Sequence, residues 1–166
     1  MREALIEAGA APVNDATAEI LRIEAGIPRY GIDMDETTIV TEANLDEAVS
    51  FTKGCYLGQE IIVRIKHRGH VAKKLTGMIL DGEATIEKGA KVFSSDNKEI
   101  GRITSSTLSP RLNRPVALGY LKYDYLAAET EVRVPLSAGV VPGKVVELPF
   151  IRGSWYENSA RGIGET

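Results

Sequence analysis

KKLTGMILDG, residues 73–82, marks the change of texture that decides how the chain is read. From here on the segments are short, alternating and rich in Val, Ile, Leu and Thr. They continue as KVFSS (91–95), EIGRITSST (99–107), PVALGYLKYDY (115–125), TEVRVPL (130–136) and KVVELPF (144–150). Turn signals separate them at Asp81-Gly82, Ser95-Asp96-Asn97, Ser109-Pro110 and Pro142-Gly143. About six strands at roughly 8–12-residue spacing predict a small antiparallel barrel or sandwich. This β domain is expected to occupy 71–152, with a boundary near Arg68–Val71 and a flexible, polar tail at 153–166.

Working backward from Lys73, the pattern turns helical and loop-like. REALIEAGA (2–10) reads as a short helix capped by Gly9. Asn14-Asp15 supplies a new N-cap, and Ala16, Ile20 and Ile23 then recur at helical spacing, with Leu21 widening the stripe. Gly26 can end that helix, and Pro28 cannot continue it. Residues 30–42 are acidic and loop-like, and NLDEAVSF (44–51) fits a short helix or a strand. A helix opening at Gly58-Gln59-Glu60 and running to His67 is preferred over a strand at IIVRI (61–65). The two leading helices need a surface to lie on, and nothing before Met1 supplies one. The chain is therefore expected to begin in the middle of a fold.

Hydrophobic residues make up 43% and charged residues 26%, the profile of an ordinary globular protein. One Cys in 166 residues excludes an internal disulfide and any CxxC-type metal site built from this chain alone. That usage, with no secretory leader and no apolar run near membrane length, predicts a cytoplasmic protein with no membrane contact. The net charge of −3 hides an asymmetry. Residues 1–52 hold 3 Lys/Arg and 11 Asp/Glu (net −8); residues 53–74 hold 6 and 1 (net +5); the remainder balances at 11 and 11. The basic stretch reads either as a solvated face or as a contact for something anionic, a carboxylate or an RNA backbone.

KGCYLGQE (53–60) opens that stretch and holds the lone thiol, Cys55. Lys53 and the first turn of a following helix would both favour a thiolate. A small buried hydrophobe is the competing reading. His67 and His70 form too thin a ligand set for a metal. Asp33, Asp35 and Glu36 read as an acidic surface loop that matches no calcium-binding spacing. The sequence contains no P-loop, GxSxG or HExxH motif.

Two stretches carry a family resemblance. LRIEAGIPRYGIDMDE (21–36) resembles the LRxEAGxxxYGxDxDE segment of the glycine-cleavage T-protein family, the folate-dependent aminomethyltransferases. KGCYLGQE resembles the signature of the YgfZ-type branch of that superfamily, tetrahydrofolate-binding proteins linked to iron–sulfur cluster assembly and repair. The resemblance implies an α+β chain: a truncated T-protein-like folate-binding region at 1–70, followed by an antiparallel β-barrel of about six strands. It implies that Glu24 accepts hydrogen bonds from the pterin, with Tyr30 nearby. Lys53 stands where T-proteins carry an Arg toward the folate. Cys55 becomes a functional thiol within a motif formed with Gly54, Tyr56, Gly58, Gln59 and Glu60.

The expected cofactor is tetrahydrofolate or a derivative, bound weakly or not at all by this chain alone. Expected partners are folate, iron–sulfur proteins, a missing N-terminal region or a second copy of the chain, and RNA through 53–74. Three readings follow: a folate-binding protein of iron–sulfur cluster maintenance, an aminomethyltransferase relative, and a non-catalytic interaction module.

Overall fold

A computed structural model describes residues 1–83, 86–137 and 139–153. Six strands close into an antiparallel barrel: β1 (Lys73–Leu80), β2 (Lys91–Ser94), β3 (Glu99–Ser109), β4 (Arg114–Lys122), β5 (Glu131–Leu136) and β6 (Gly139–Val146). Their order around the barrel is β1-β4-β3-β2-β5-β6, with β6 returning to β1. Closure leaves no strand edge unpaired, which removes the usual aggregation liability of a small sheet.

The inside of the barrel is filled by Met78, Leu80, Val92, Ile100, Ile103, Ala117, Leu121, Val132, Val134 and Val145. β5 alternates buried and exposed residues, so its outer face meets water. β4 does not: every residue from Pro115 to Leu121 is buried. The reason is a second apolar layer outside the barrel, where Leu75, Val116, Leu118 and Tyr120 pack against Ile23, Leu148 and Phe150. A strand covered on both faces reads as a continuous hydrophobic run, as PVALGYL does. Gly77 leaves room for that layer; a Cβ there would meet Leu148 Cδ2 at 2.7 Å and Phe150 Cζ at 2.9 Å.

Three α-helices precede the barrel: α1 (Arg2–Glu7), α2 (Asp15–Glu24) and α3 (Gln59–Arg68). Asn14 caps α2, its side-chain oxygen accepting from the Thr17 N–H at 2.8 Å. α2 packs across β3 and β4. Of its predicted stripe, only Ile23 is deeply buried, whereas Ala16 and Leu21 remain exposed. α3 begins at Gln59, and Gly58 before it takes the left-handed conformation (φ 84°) that glycine adopts without penalty.

Of the short helix or strand expected at 44–51, the structure forms a short helix, one 3₁₀ turn at Asp46–Ala48. One expectation about local structure is corrected. The last strand begins at Gly139, not Lys144, so Pro142-Gly143 lies within β6. Pro142 pairs with Arg133, and Gly143 sits where a Cβ would meet Leu80 Cδ2 at 2.5 Å. Close approach of neighbouring strands, not a turn, calls for that glycine. The tail expected at 153–166 lies, apart from Gly153, outside the described residues.

Candidate functional site

Among the described residues three carboxylates are buried, Glu24, Asp33 and Glu42. A buried carboxylate must be paired or hydrogen-bonded to stay charged. Asp33 is the most fully bonded. Its Oδ2 accepts from Arg22 Nη1 at 2.7 Å and from the Arg29 N–H at 3.0 Å. Its Oδ1 accepts from Thr104 Oγ1 at 2.5 Å and from Ser105 Oγ at 2.7 Å.

Consecutive residues of a regular strand point to opposite faces. Here the β3–β4 register shifts between Ile103 and Ser105, so Thr104 is the extra residue of a β-bulge. The bulge turns two adjacent hydroxyls toward one carboxylate and locks the 29–33 loop to the barrel. Arg22 completes the lock through Glu19 and Ser105 Oγ. Burial disfavours the Arg22 charge, but the Glu19 hydrogen bond and the Asp33 and Glu19 charges outweigh it and raise its pKa. The Arg22 hydrogen bond in turn holds the Glu19 carboxyl below its ordinary range. The reading of Asp33 as part of an exposed acidic loop is therefore corrected: Asp33 is 4% exposed, while Asp35 and Glu36 stay at the surface. A run of hydroxyls, Thr104-Ser105-Ser106, in an apolar strand was the available sequence signal.

Glu24 ends α2 and is 7% exposed. Its Oε1 accepts from the Ser109 hydroxyl, 85 residues away. Ser109 is fully buried and also accepts from the Leu112 N–H at 3.1 Å. Oε2 of Glu24 accepts from none of the described residues. Replacing Ser109 by Ala leaves the buried Glu24 carboxylate and the half-buried Leu112 N–H without this bond and should lower unfolding free energy by about 2 kcal/mol. Urea unfolding checks this, and a loss below about 0.5 kcal/mol would mean that the Glu24 contact contributes nothing.

The KGCYLGQE residues form a separate surface turn. Cys55 is exposed. Lys53 Nζ lies over the Tyr56 ring at 4.8 Å, and Gly54 has open space around it. Gln59 and Glu60 start α3, with Glu60 3.4 Å from Arg64. Tyr30 is 65% exposed, with its hydroxyl 3.4 Å from Glu36. No hydrogen bond or ion pair among the described residues joins Glu24, Tyr30 and the 53–60 turn to one another. Part of the basic stretch is matched by acids from the preceding loop: Lys73 lies 3.8 Å from Glu42 and Lys74 3.4 Å from Asp46. Lys66 covers Phe51, and His70 stacks on Tyr123 at 3.7 Å between ring centroids. No helix among the described residues is long and apolar enough to cross a membrane.

Comparison with known proteins places these elements in context. Residues 73–151 match the family described as the glycine cleavage T-protein C-terminal barrel domain. An aminomethyltransferase of Chlorobium luteolum is 35% identical, over 92% of this chain and 42% of that protein. Another, from Aquifex aeolicus, is 36% identical over 86% of this chain and 39% of its own length. The solved glycine cleavage system aminomethyltransferase T from Bartonella henselae superposes with a TM-score of 0.75 at 28% identity. That match covers 82% of this chain and 38% of the Bartonella chain. The chain thus spans about two fifths of the length of the relatives it matches.

Proposed function

We propose that the chain, whose residues 73–151 match the glycine cleavage T-protein C-terminal barrel domain, is part of that superfamily and serves a tetrahydrofolate-binding protein of iron–sulfur cluster assembly or repair. Glu24 carries the folate half of this reading. Its carboxylate is buried, one oxygen is committed to Ser109, and the other is left as an acceptor. A pterin presents an amidine-like donor edge, which such an oxygen can meet. Lys53 keeps the cationic character of the Arg found in T-proteins without its bidentate fork, so it contributes charge rather than directional bonding.

Cys55 carries the other half. Its thiol is solvent-exposed on a turn fixed by Gly58, with the Lys53 ammonium two residues away over Tyr56. Aminomethyl transfer is the second reading, favoured by the activity named for the relatives. The two separate at the thiol. In cells lacking the gene, the wild-type chain in its native protein should restore iron–sulfur enzyme activity and Cys55→Ser should not, while aminomethyl transfer by the same protein is unchanged. Full restoration by Cys55→Ser would remove the thiol from the function. Glu24→Gln should weaken tetrahydrofolate binding by that protein roughly tenfold, read by calorimetry, because one charged acceptor is lost. Unchanged affinity would take Glu24 out of the folate site.

A further inference from the structure

A polar cleft lies beside the Asp33 loop, between residues 31–38, the start of β1, the β1–β2 connection, the first half of β3 and the end of β4. It encloses about 270 Å³. Its floor is Tyr120, 4% exposed, whose hydroxyl is buried and has no hydrogen-bond partner among the described residues. Native structures rarely leave such a group unbonded, so an unmatched donor beside a cleft points to a ligand atom. Burial first, then the Glu42 and Asp33 charges, pushes this phenol up to about 12, so at neutral pH it keeps its proton. A Thr38 interaction opposes that only weakly and lacks hydrogen-bond geometry.

The walls are cationic. Lys73, Lys88 and Arg102 all line the cleft. Lys73 Nζ lies 5.3 Å from the centre of the Tyr120 ring and 3.8 Å from Glu42. Lys88 and Arg102 are exposed and have no ion-pair partner among the described residues. Of the acids at the cleft, the Asp33 charge is matched by Arg22. Asp35 turns into its own loop, where its Oδ1 accepts from the Thr37 N–H and hydroxyl and from the Thr38 hydroxyl. Those bonds leave the Asp35 charge without an ion-pair partner among the described residues, so the cleft presents two unmatched cations, one unmatched carboxylate and one unmatched hydroxyl donor, a net excess of positive charge, to a volume below that of a drug-sized pocket.

We propose that this cleft binds a compact oxyanion of the phosphate class, its oxygens accepting from Lys88, Arg102 and the Tyr120 hydroxyl. A phosphate offers several peripheral oxygens and suits three donors arriving from different elements, with the Arg102 fork able to take two of them. The donors come from the β1–β2 connection, β3 and β4. None of them is Glu24 or Cys55, so this site stands or falls independently of the folate reading.

The test is calorimetric titration of the whole chain with inorganic phosphate and, in a second arm, with glycerol phosphate, each against acetate at matched ionic strength. Saturable binding of phosphate but not acetate is expected. Tighter binding of glycerol phosphate identifies an ester as the ligand, and equal binding identifies phosphate itself. Arg102→Gln and Lys88→Gln should each weaken binding roughly tenfold, the scale of one charge-assisted bond. Tyr120→Phe should weaken it as well, without lowering the midpoint of thermal unfolding, because the lost hydroxyl bonds to no protein group. Absence of saturable heat in both arms would overturn the site, as would affinity unchanged in all three variants.

Discussion

Asp33→Ala should lower the unfolding free energy by about 3 kcal/mol, among the largest single losses available outside the barrel interior. The substitution deletes the acceptor of four bonds at once, from Arg22, the Arg29 N–H, Thr104 and Ser105. Thr104 keeps its 3.2 Å bond to the Leu118 carbonyl, and Arg22 keeps Glu19 and the Ile27 carbonyl. The cost therefore falls at the lower end of the range for breaking a buried ion pair, not at its top. Asn at this position is no rescue. Its carbonyl can face the two hydroxyls, but its amide then points donors at the Arg22 guanidinium. Urea unfolding of D33A, D33N, R22A and R22A/D33A measures this. The cycle should return a coupling of at least about 1 kcal/mol between Arg22 and Asp33. Additive losses would mean that the two charges are held separately and that the lock does not exist.

That lock shows where local sequence reasoning reaches and where it stops. The six apolar runs after Lys73 were legible because each strand carries its own signal in β-branched residues and bounding turns. β6 was misread because Pro142-Gly143 is a strong local turn signal, while the reason for the glycine lies on β1, in Leu80. The bulge at Thr104 had no local signature, since its purpose is a carboxylate 71 residues earlier. Asp33 looked like surface for the same reason. The α3 start was legible from Gly58, whose left-handed backbone is a local property. Glu24 could be singled out only through the LRxEAG resemblance. Helical periodicity places it beside Ile23 but cannot say that Ser109, on the far side of the sequence, waits to bond it.

Gly101→Ala should be at least as damaging, at about 3 kcal/mol, through sterics alone. Gly101 lies in β3 opposite Leu121 of β4 on one side and Val92 of β2 on the other. A methyl group there would be driven into the Tyr120 carbonyl oxygen and would lie 2.6 Å from Leu121 Cδ2. The carbonyl cannot swing aside as a side chain could, because β4 is held by β1 and β3 together. The strands must separate, and the contacts that fill the barrel around Ile100, Ile103 and Leu121 loosen with them. For a chain of this length the loss corresponds to roughly 10 °C in the thermal midpoint. Gly54→Ala is the matched control. Nothing lies within 4 Å of a Cβ at that position and its backbone is not left-handed, so the change should stay within about 0.5 kcal/mol. Circular dichroism melts of the two variants decide the matter. If Gly101→Ala melts with Gly54→Ala, β3 and β4 are not packed as closely as their register requires. A large loss confined to Gly101→Ala instead ties barrel closure to a glycine that local pattern treats as a mere interruption of EIGRITSST.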